Sequence, residues 1–263
     1  MARYTNPAGY DRFMGRWSAR LAPLFANFAG ITAGRVLDVG CGTAALSRAL
    51  LDRSPMIEMT GIDPAQSYLV HAKRVIASPR LSLVCGAAEA LPFADRSFDA
   101  ALALLVIQEL SDPAAALRGL KRVTRPGAVL ATCVWDFRQG MPMFSLFWEA
   151  ANAVAPEAVA RRRAETGGPS PYASAEALDA LWRNAGLGEV RTTALHVPLD
   201  FASVEDFWTP FLLGATGTSA FARDLDAATA GAVGARLRHI IGERWGQGTF
   251  TLAATAFAVA GRA

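Results

Sequence analysis

The sequence predicts an α/β fold in which a mostly parallel β-sheet is covered by helices on both faces. Short apolar segments alternate with helix-like segments between residues 34 and 136, the order expected of repeated strand–helix–strand units. The apolar segments are nearly continuous, which is typical of parallel strands buried on both sides. Turn residues such as Pro126 and Gly127 introduce the strands. We expect residues 1–263 to form one domain.

The individual elements follow from the spacing of the apolar residues. Residues 1–33 are expected to form a helical lead-in, because aromatic and apolar side chains recur there at helical intervals. Residues 34–136 are the expected core, with strands over 35–39, 57–63, 81–85, 98–106 and 128–134 and helices over 44–52, 66–77 and 112–123. Residues 137–263 add a helix over 174–185, strands over 189–196 and 250–260, and helical insertions over about 137–172 and 203–246.

Composition and charge narrow the function classes. The chain has 263 residues, of which 52% are hydrophobic, and a net charge of +3. Its longest apolar run, residues 100–107, is far too short to cross a bilayer, so we expect no membrane span. The only basic cluster, residues 161–163, is better explained as a solvated helix face than as a phosphate contact, so we expect no nucleic-acid partner.

Cysteine usage and the amino-terminal residues predict a compartment. Cys41, Cys85 and Cys133 form no CxxC pair and are odd in number, which favours reduced thiols over a disulfide framework. The first residues do not have the pattern of a signal peptide. We therefore expect a cytoplasmic protein; the oligomeric state stays open.

The segment VLDVGCGTAA is the most informative stretch of the chain. An apolar strand enters a turn at Gly40 and Gly42, and a helix follows at once, so the backbone can approach a ligand closely. Asp63 ends the next strand, where a carboxylate can accept hydrogen bonds from both hydroxyls of a ribose. This glycine spacing alone also fits an NAD site. However, Asp38 suits the ammonium group of a methionine-type ligand better than a pyrophosphate, and no hydride-handling site is visible.

Four ordered motifs resemble those of class I S-adenosylmethionine-dependent methyltransferases, near the ubiquinone/menaquinone C-methyltransferase type. VLDVGCGTAALSRAL resembles their first motif and GIDPAQSYL their acidic second motif. GAAEALPFADRSFDAALALLVIQEL resembles the third and fourth motifs, RVTRPGAVLATCVWD the fifth strand, and YDRFMGRWS the lead-in of many members. The resemblance implies a Rossmann-like, doubly wound sheet of seven strands with an antiparallel last strand and a helical lid. It also implies S-adenosylmethionine as the cofactor and a small organic molecule as the methyl acceptor.

The resemblance assigns most of the cofactor contacts. Gly40, Cys41 and Gly42 would line the methionine part of the cofactor, and Asp63 would hold the ribose. Pro64 and Tyr68 would lie along the adenine, and Ala88 would donate its N–H to it. Leu104 and Leu105 would pass near the sulfonium. Many relatives carry Asp at the position of Ala87, so Glu89, a carbonyl or a water would have to replace that carboxylate here.

The lead-in is expected to complete the cofactor site. Tyr10 and Arg16 would close over the carboxylate end of the cofactor. The alternative is that this helix only packs on the sheet through its aromatic residues.

The acceptor side is predicted from the residues that follow the fourth and fifth strands. Methyl transfer needs a positioned acceptor, and a general base only where the acceptor carries a proton. Gln108 and Glu109 are expected to contact the acceptor, with Glu109 as a candidate base; alternatively they cap the strand and meet solvent. Trp135 and Asp136 end the fifth strand at the edge where open α/β sheets bind ligands, so Asp136 is a further catalytic candidate.

The insertions supply aromatic residues for an acceptor pocket. Phe144, Trp148, Phe207 and Trp208 are expected to line an apolar or aromatic acceptor, the alternative being core packing. We expect no metal, because the three histidines are isolated and lack ligand spacing. Two other functions stay open, a protein that binds the cofactor without catalysis and an NAD-dependent oxidoreductase.

Overall fold

A computed structural model describes residues 6–166, 170–214 and 216–263, and within these ranges seven strands form one sheet. The predicted lead-in and the two predicted insertions extend outside the described residues at 1–5, 167–169 and 215. The strands are β1 (Gly34–Val39), β2 (Ile57–Asp63), β3 (Leu81–Cys85), β4 (Phe98–Leu104), β5 (Thr124–Trp135), β6 (Gly188–Phe201) and β7 (Phe250–Arg262).

The sheet has the order β3-β2-β1-β4-β5-β7-β6. Strands β1 to β5 pair in parallel, whereas β7 lies between β5 and β6 and is antiparallel to both. The predicted seven-stranded, Rossmann-like sheet with an antiparallel last strand is therefore confirmed. Chain order reverses between β1 and β4, so the connections leaving these two strands diverge and open a crevice at their carboxyl ends.

Helices cover both faces of the sheet. They are α1 (Pro7–Tyr10), α2 (Arg16–Ala29), α3 (Ala45–Arg53), α4 (Gln66–Val75), α5 (Pro113–Val123), α6 (Pro142–Val154), α7 (Pro156–Thr166), α8 (Ala175–Asn184), α9 (Val204–Trp208), α10 (Gly217–Asp224) and α11 (Ala227–Trp245). A π-helical turn over Asp11–Gly15 joins α1 to α2, and 3₁₀ turns cover Ile107–Glu109 and Thr209–Leu213.

Successive side chains along the strands point to opposite faces of the sheet and belong to two different hydrophobic clusters. Val36 faces the cluster that contains α2, α3, α6 and α11, while its neighbour Leu37 faces the cluster that contains α5 and α8. Asp112 caps α5 by accepting a hydrogen bond from the Ala115 N–H at 2.8 Å. No helix in the described ranges is long and apolar enough to cross a bilayer.

Two predicted boundaries are wrong for reasons that lie in the backbone. Pro126 and Gly127 lie inside β5, where the pairing with β4 shifts register between Phe98 and Ala100; they form a bulge, with Gly127 at a φ of 79°. Strand β4 ends at Leu104, two residues earlier than predicted, because Leu105 has a left-handed φ of 64°.

The helices after β5 are joined to the lead-in by stacked aromatic rings. Phe147 of α6 stacks on Phe211 with ring centroids 4.7 Å apart and planes at 9°, and Phe13 contacts Phe211 at 4.7 Å. Phe207 packs between Phe201 and Phe211. This aromatic cluster fixes the insertions and the lead-in above the carboxyl end of the sheet.

Candidate active site

The turn after β1 has the backbone shape that its glycines allow. Gly40 and Gly42 have φ angles of 62° and 53°, and Ala44, the residue before α3, has a φ of 65°. A Cβ on Gly40 would lie 2.5 Å from Cγ2 of Val106, so glycine is required there both for conformation and for space. The turn thereby comes into close contact with the segment that follows β4.

Asp38 is a buried carboxyl group beneath this turn. Its Oδ2 accepts hydrogen bonds from the Ser47 N–H at 3.1 Å and from the Ser47 hydroxyl at 2.7 Å. Burial raises the pKa of Asp38 to about 7, the Ser47 hydrogen bonds oppose that rise, and the nearby Asp63 adds to it. A cation placed beside Asp38 would therefore favour the ionised carboxylate.

Cys41 does not supply a reactive group to the turn. Its Sγ lies in a tight contact with Gly61 of β2, where an added Cβ would come within 2.8 Å of the sulfur. Burial raises the pKa of the Cys41 thiol, and the negative charges of Asp38 and Asp63 act in the same direction. The thiol is therefore protonated, and Cys41 contributes its backbone to the site.

Asp63 is positioned at the end of β2 by two backbone donors. Its Oδ2 accepts from the Gly42 N–H at 2.9 Å, and its Oδ1 accepts from the Ala65 N–H at 2.8 Å. Burial raises its pKa, and these two hydrogen bonds oppose the rise. Each carboxylate oxygen has a further lone pair, so the group can accept from two neighbouring hydroxyls at once.

These groups border a cleft of about 430 Å³, a volume within the usual range of small-molecule sites. It is lined by Tyr10, Gly40, Gly42, Asp63, Pro64, Ala65, Tyr68, Ala87, Ala88, Glu89, Leu104, Leu105, Val106, Glu109 and Leu110. A recess of about 40 Å³ contains Asp38, Cys41, Ser18 and Thr43. The cleft and the recess thus contain every predicted cofactor residue except Arg16.

Arg16 corrects one expectation about the lead-in. Its guanidinium donates to both carboxylate oxygens of Asp206, at 2.7 and 3.0 Å, and to the Asp200 carbonyl at 2.9 Å. It also lies 4.0 Å above the ring of Trp17. Arg16 therefore fastens α2 to the start of α9, and it lines neither the cleft nor the recess.

Tyr10, the last residue of α1, does border the cleft. Its hydroxyl shares a hydrogen bond of 3.2 Å with the hydroxyl of Ser18, and its ring contacts Tyr68 edge-on at 5.8 Å. Burial raises the pKa of Tyr10, so the hydroxyl is neutral and available for hydrogen bonding.

A second cavity of about 210 Å³, here called the inner cavity, adjoins the cleft. It is lined by Tyr10, Met14, Leu105, Gln108, Glu109, Trp135, Phe137, Phe144, Thr216, Gly217 and Thr218. Tyr10, Leu105 and Glu109 also line the cleft, so these three side chains lie where the two spaces meet. Leu105 has the left-handed φ noted above, a strained conformation of the kind that is concentrated at functional sites.

An open groove of about 1060 Å³ adjoins the inner cavity. The two share Gln108, Glu109, Phe137 and Phe144, and the groove adds Trp148, Tyr172, Arg162 and Arg163 among its lining residues. Arg162 donates to the Gly217 carbonyl at 3.1 Å, which joins α7 to α10. The predicted basic cluster is thus in part a wall of this groove.

The predicted acceptor residues divide into two groups. Gln108, Glu109, Trp135 and Phe144 line the inner cavity, and Trp148 lines the groove. Asp136, Phe207 and Trp208 line neither space, so these two cavities do not support the roles predicted for them.

Each of these three side chains has a structural role instead. The Oδ1 of Asp136 accepts from the N–H groups of Arg138 and Gln139, at 3.0 and 3.1 Å, and so holds the turn after β5. Phe207 and Trp208 belong to the aromatic cluster, and Trp208 stacks on Phe211.

Some lining residues were missed by the sequence analysis. Ala65 and Val106 lie directly after predicted site residues, and Phe137 directly follows Asp136, so extending each motif by one or two positions would have included them. Met14 and Thr218 belong to distant segments that only the folded chain brings to the cavity, and no local signal marks them.

The arrangement fits the predicted cofactor and contains no obvious metal site. A buried carboxyl group in the recess can hold an ammonium group, and a second carboxylate at the end of β2 can hold a ribose. Among the described residues, no group of three or more His, Cys, Asp or Glu side chains could hold a metal ion.

Comparisons with known proteins agree with this site. A family model described as a methyltransferase domain matches residues 37–132. A demethylmenaquinone methyltransferase of Parafrankia is 31% identical over 201 residues, which cover 69% of this chain and 75% of that protein. A malonyl-[acyl-carrier protein] O-methyltransferase of Erwinia pyrifoliae is 42% identical over 93 residues, which cover 35% of this chain and 34% of that protein.

The fold is also found in solved structures. A Bacillus halodurans protein, solved as a candidate methyltransferase, superposes with a TM-score of 0.58 at 16% identity and covers 92% of this chain and 97% of its own. The chain spans about half the length of other curated relatives, 42% and 55% in two cases. With the motifs, the cleft and the Parafrankia relative taken together, the chain belongs to the class I S-adenosylmethionine-dependent methyltransferases.

Proposed function

We propose that this chain transfers the methyl group of S-adenosylmethionine to a small acceptor that has an apolar or aromatic body. The observation that carries the proposal is that a cofactor-sized cleft and a second cavity share lining residues and therefore lie side by side. The recess with Asp38, the cleft with Asp63 and an inner cavity with Phe137 and Phe144 in its wall all have Leu105 in their lining. A methyl donor in the first space would therefore face an acceptor in the second.

The residues of the cleft would bind and orient the cofactor. Asp38 would hold the ammonium group and Asp63 the ribose hydroxyls, while Leu104 and Leu105 line the cleft with apolar side chains that would exclude water. When bound, S-adenosylmethionine supplies a methyl group on a sulfonium, which is already an activated leaving group. The chain therefore needs to position the acceptor more than to activate it.

Glu109 is the candidate base for an acceptor that carries a proton. It follows β4 on the 3₁₀ turn and lines the cleft, the inner cavity and the groove, so it borders both ligands in this proposal. A carboxylate at that position can take a proton from an acceptor hydroxyl or amine as the methyl group is transferred. An acceptor without such a proton would leave turnover independent of Glu109.

We propose a chemical class for the acceptor and not an individual compound. The relatives are named for a quinone precursor and for a malonyl group on a carrier protein, so their names do not agree on one acceptor. The inner cavity favours a small molecule with an apolar ring over a nucleic acid. The free thiols of Cys41, Cys85 and Cys133 suit a reducing compartment, and we propose a cytoplasmic location.

The test is transfer of a labelled methyl group. The protein is incubated with S-adenosylmethionine carrying a CD₃ group and with an extract of small metabolites, and mass spectrometry detects products heavier by one CD₃. We expect at least one labelled product, which disappears with Leu105→Glu, a variant that places a charge where the two spaces meet. A chain that binds S-adenosylhomocysteine but labels nothing across diverse extracts would be a binding protein, contrary to the proposal.

A further inference from the structure

Two arginine side chains of α7 line the groove with most of their hydrogen-bond donors unused. Within the described residues, the guanidinium of Arg162 donates only to the Gly217 carbonyl, at 3.1 Å, and lies 3.8 Å from a carboxylate oxygen of Glu165. Arg163 forms no hydrogen bond or ion pair with any residue that the structure describes. A guanidinium has five N–H donors and stays positively charged in proteins. The groove therefore offers cationic donors to a ligand.

The acidic side chains of the groove leave this positive charge largely uncompensated. Glu109 and Glu149 are the acidic residues among its described lining residues. Glu149 accepts hydrogen bonds on both carboxylate oxygens from Arg244, at 2.7 and 3.0 Å, and Arg244 is not part of the lining. Glu109 also lines the cleft and the inner cavity, whereas Arg162 and Arg163 line neither. The groove is therefore positively charged on its α7 side.

Arg162 lies next to the place where the groove adjoins the inner cavity. Gly217, whose carbonyl accepts the hydrogen bond from Arg162, lines both spaces, as do Phe137 and Phe144. The Arg162 side chain is 27% exposed, so its charge is partly removed from water, where charged groups attract each other more strongly than in bulk solvent. A molecule whose ring lies against Phe137 and Phe144 could therefore extend a charged group toward α7.

We propose that Arg162 and Arg163 bind an anionic group, a carboxylate or a phosphate, which the acceptor carries away from its methylated atom. The planar guanidinium matches the oxygen atoms of such groups with two parallel hydrogen bonds. Resting on the proposed function, this inference narrows the acceptor to an apolar ring with an acidic side arm. The carboxylate of Glu109, at the shared end of the groove, would repel the same anion, so the charges would orient the acceptor in one direction.

The experiment compares carboxylic acids with their uncharged amides. Benzoate, 3-phenylpropanoate and 5-phenylpentanoate place the charge at increasing distance from the ring, and each is paired with its amide. Dissociation constants are measured by ligand-observed NMR at low salt on the protein saturated with S-adenosylhomocysteine. We expect the two longer acids to bind about fivefold more tightly than their amides, as for a partly exposed ion pair. Equal affinities of acid and amide at every length, or a preference confined to benzoate, would overturn the proposal.

A fourth probe, 2-phenylethyl phosphate, distinguishes the two anions. It is compared with its uncharged parent, 2-phenylethanol, and with 3-phenylpropanoate, whose chain has a similar length. Tighter binding of the phosphate than of the carboxylate would identify a phosphorylated acceptor, and the opposite order would identify a carboxylic acid. If neither anion binds more tightly than its uncharged counterpart, the proposal is wrong.

Three adjacent arginines of α7 supply the variants and a matched control. Arg163→Gln should fold normally, because the side chain is exposed, and should lower the acid-to-amide preference about threefold. Arg162→Gln should lower it as well, and urea unfolding checks this variant because it also loses the hydrogen bond to α10. Arg161→Gln is the control, since Arg161 is exposed and lines a separate depression beside α7 but not the groove. A preference that is unchanged in both groove variants, or equally reduced in Arg161→Gln, would contradict the anion site.

The design separates this proposal from the proposed function. Failure of S-adenosylhomocysteine to bind the wild-type chain would contradict the proposed function, while the acid-to-amide preference can still be measured without it. Binding of S-adenosylhomocysteine together with no preference for the acids or the phosphate would remove only the anion site.

Discussion

The replacement of Asp38 by asparagine removes a buried charge while it keeps the shape of the side chain. Burial raises the pKa of Asp38 from an ordinary value of 3.8 to about 7. The unfolded chain therefore loses this proton near pH 4, whereas the folded, cofactor-free protein keeps it until about pH 7. Because the folded state binds more protons in this window, the free energy of unfolding falls as the pH rises from about 4 to about 7.

The size of the effect follows from the pKa difference. A rise of about three pKa units corresponds to a decrease of roughly 4 kcal/mol in the free energy of unfolding. The decrease is complete only above pH 7. Asparagine does not ionise, and its amide oxygen can still accept from Ser47. We therefore expect Asp38→Asn to be more stable than the wild type at pH 8, by up to about 4 kcal/mol, and nearly as stable as the wild type at pH 4.

Cofactor affinity should change in the opposite direction. In our proposal the ammonium group needs the ionised carboxylate, so wild-type affinity for S-adenosylhomocysteine should rise about tenfold per pH unit below pH 7 and then level off. Asp38→Asn should lose this pH dependence and bind at least about tenfold more weakly at pH 8, the usual effect of losing a charge-assisted hydrogen bond.

The assays are urea unfolding at several pH values and calorimetric titration with S-adenosylhomocysteine. Asp52→Asn is a matched control, because Asp52 is an exposed aspartate at the end of α3, and it should leave both pH profiles unchanged. The reasoning about Asp38 would be refuted if Asp38→Asn and the wild type had parallel stability profiles. It would also be refuted if both bound the ligand equally well at pH 8.

Three further predictions follow from other parts of the site. Asp63→Ala should lose about 1–3 kcal/mol of affinity for S-adenosylhomocysteine, since two charge-assisted hydrogen bonds disappear, and calorimetry should detect the loss; unchanged binding would remove Asp63 from the site. Trp148→Ala should weaken acceptor turnover and leave cofactor affinity intact. Trp208→Ala should instead lower the free energy of unfolding by about 3–5 kcal/mol, as for a core aromatic, and urea unfolding separates the two cases. Methyl transfer should be insensitive to EDTA, because no metal cluster is found in the described residues; activity lost with EDTA and restored by Mg²⁺ would show that a metal takes part.

The cofactor side of the site could be predicted because its residues lie in short, continuous motifs. Gly40 and Gly42 mark a turn that few other residues could form, and Asp63 ends a strand whose position in the parallel sheet follows from the strand–helix alternation. The residues that line the cofactor side of the site could therefore be identified from short stretches of sequence. The alternation of apolar segments likewise sufficed to predict the parallel strands β1 to β5.

The acceptor side could be predicted only in part, because tertiary contacts decide the role of each residue. Asp136 directly follows β5 at the edge of the sheet where ligands were expected, yet its carboxylate accepts hydrogen bonds from the N–H groups of Arg138 and Gln139 in the following turn. Arg16 pairs with Asp206, which is 190 positions away in the sequence. Trp148 and Trp208 each follow a phenylalanine on a helix, and only packing places Trp148 at the groove and Trp208 in the core.

The most direct test of the assigned cofactor is a calorimetric titration of the wild-type chain with S-adenosylhomocysteine and, separately, with NAD⁺. Both ligands are bound by glycine turns of this type, but only S-adenosylhomocysteine carries an ammonium group that could enter the recess with Asp38. We expect S-adenosylhomocysteine to bind at a 1:1 ratio and NAD⁺ to bind at least a hundredfold more weakly, as estimated from the unpaired charges that NAD⁺ would meet. Preferential binding of NAD⁺, or no binding of S-adenosylhomocysteine, would contradict the account.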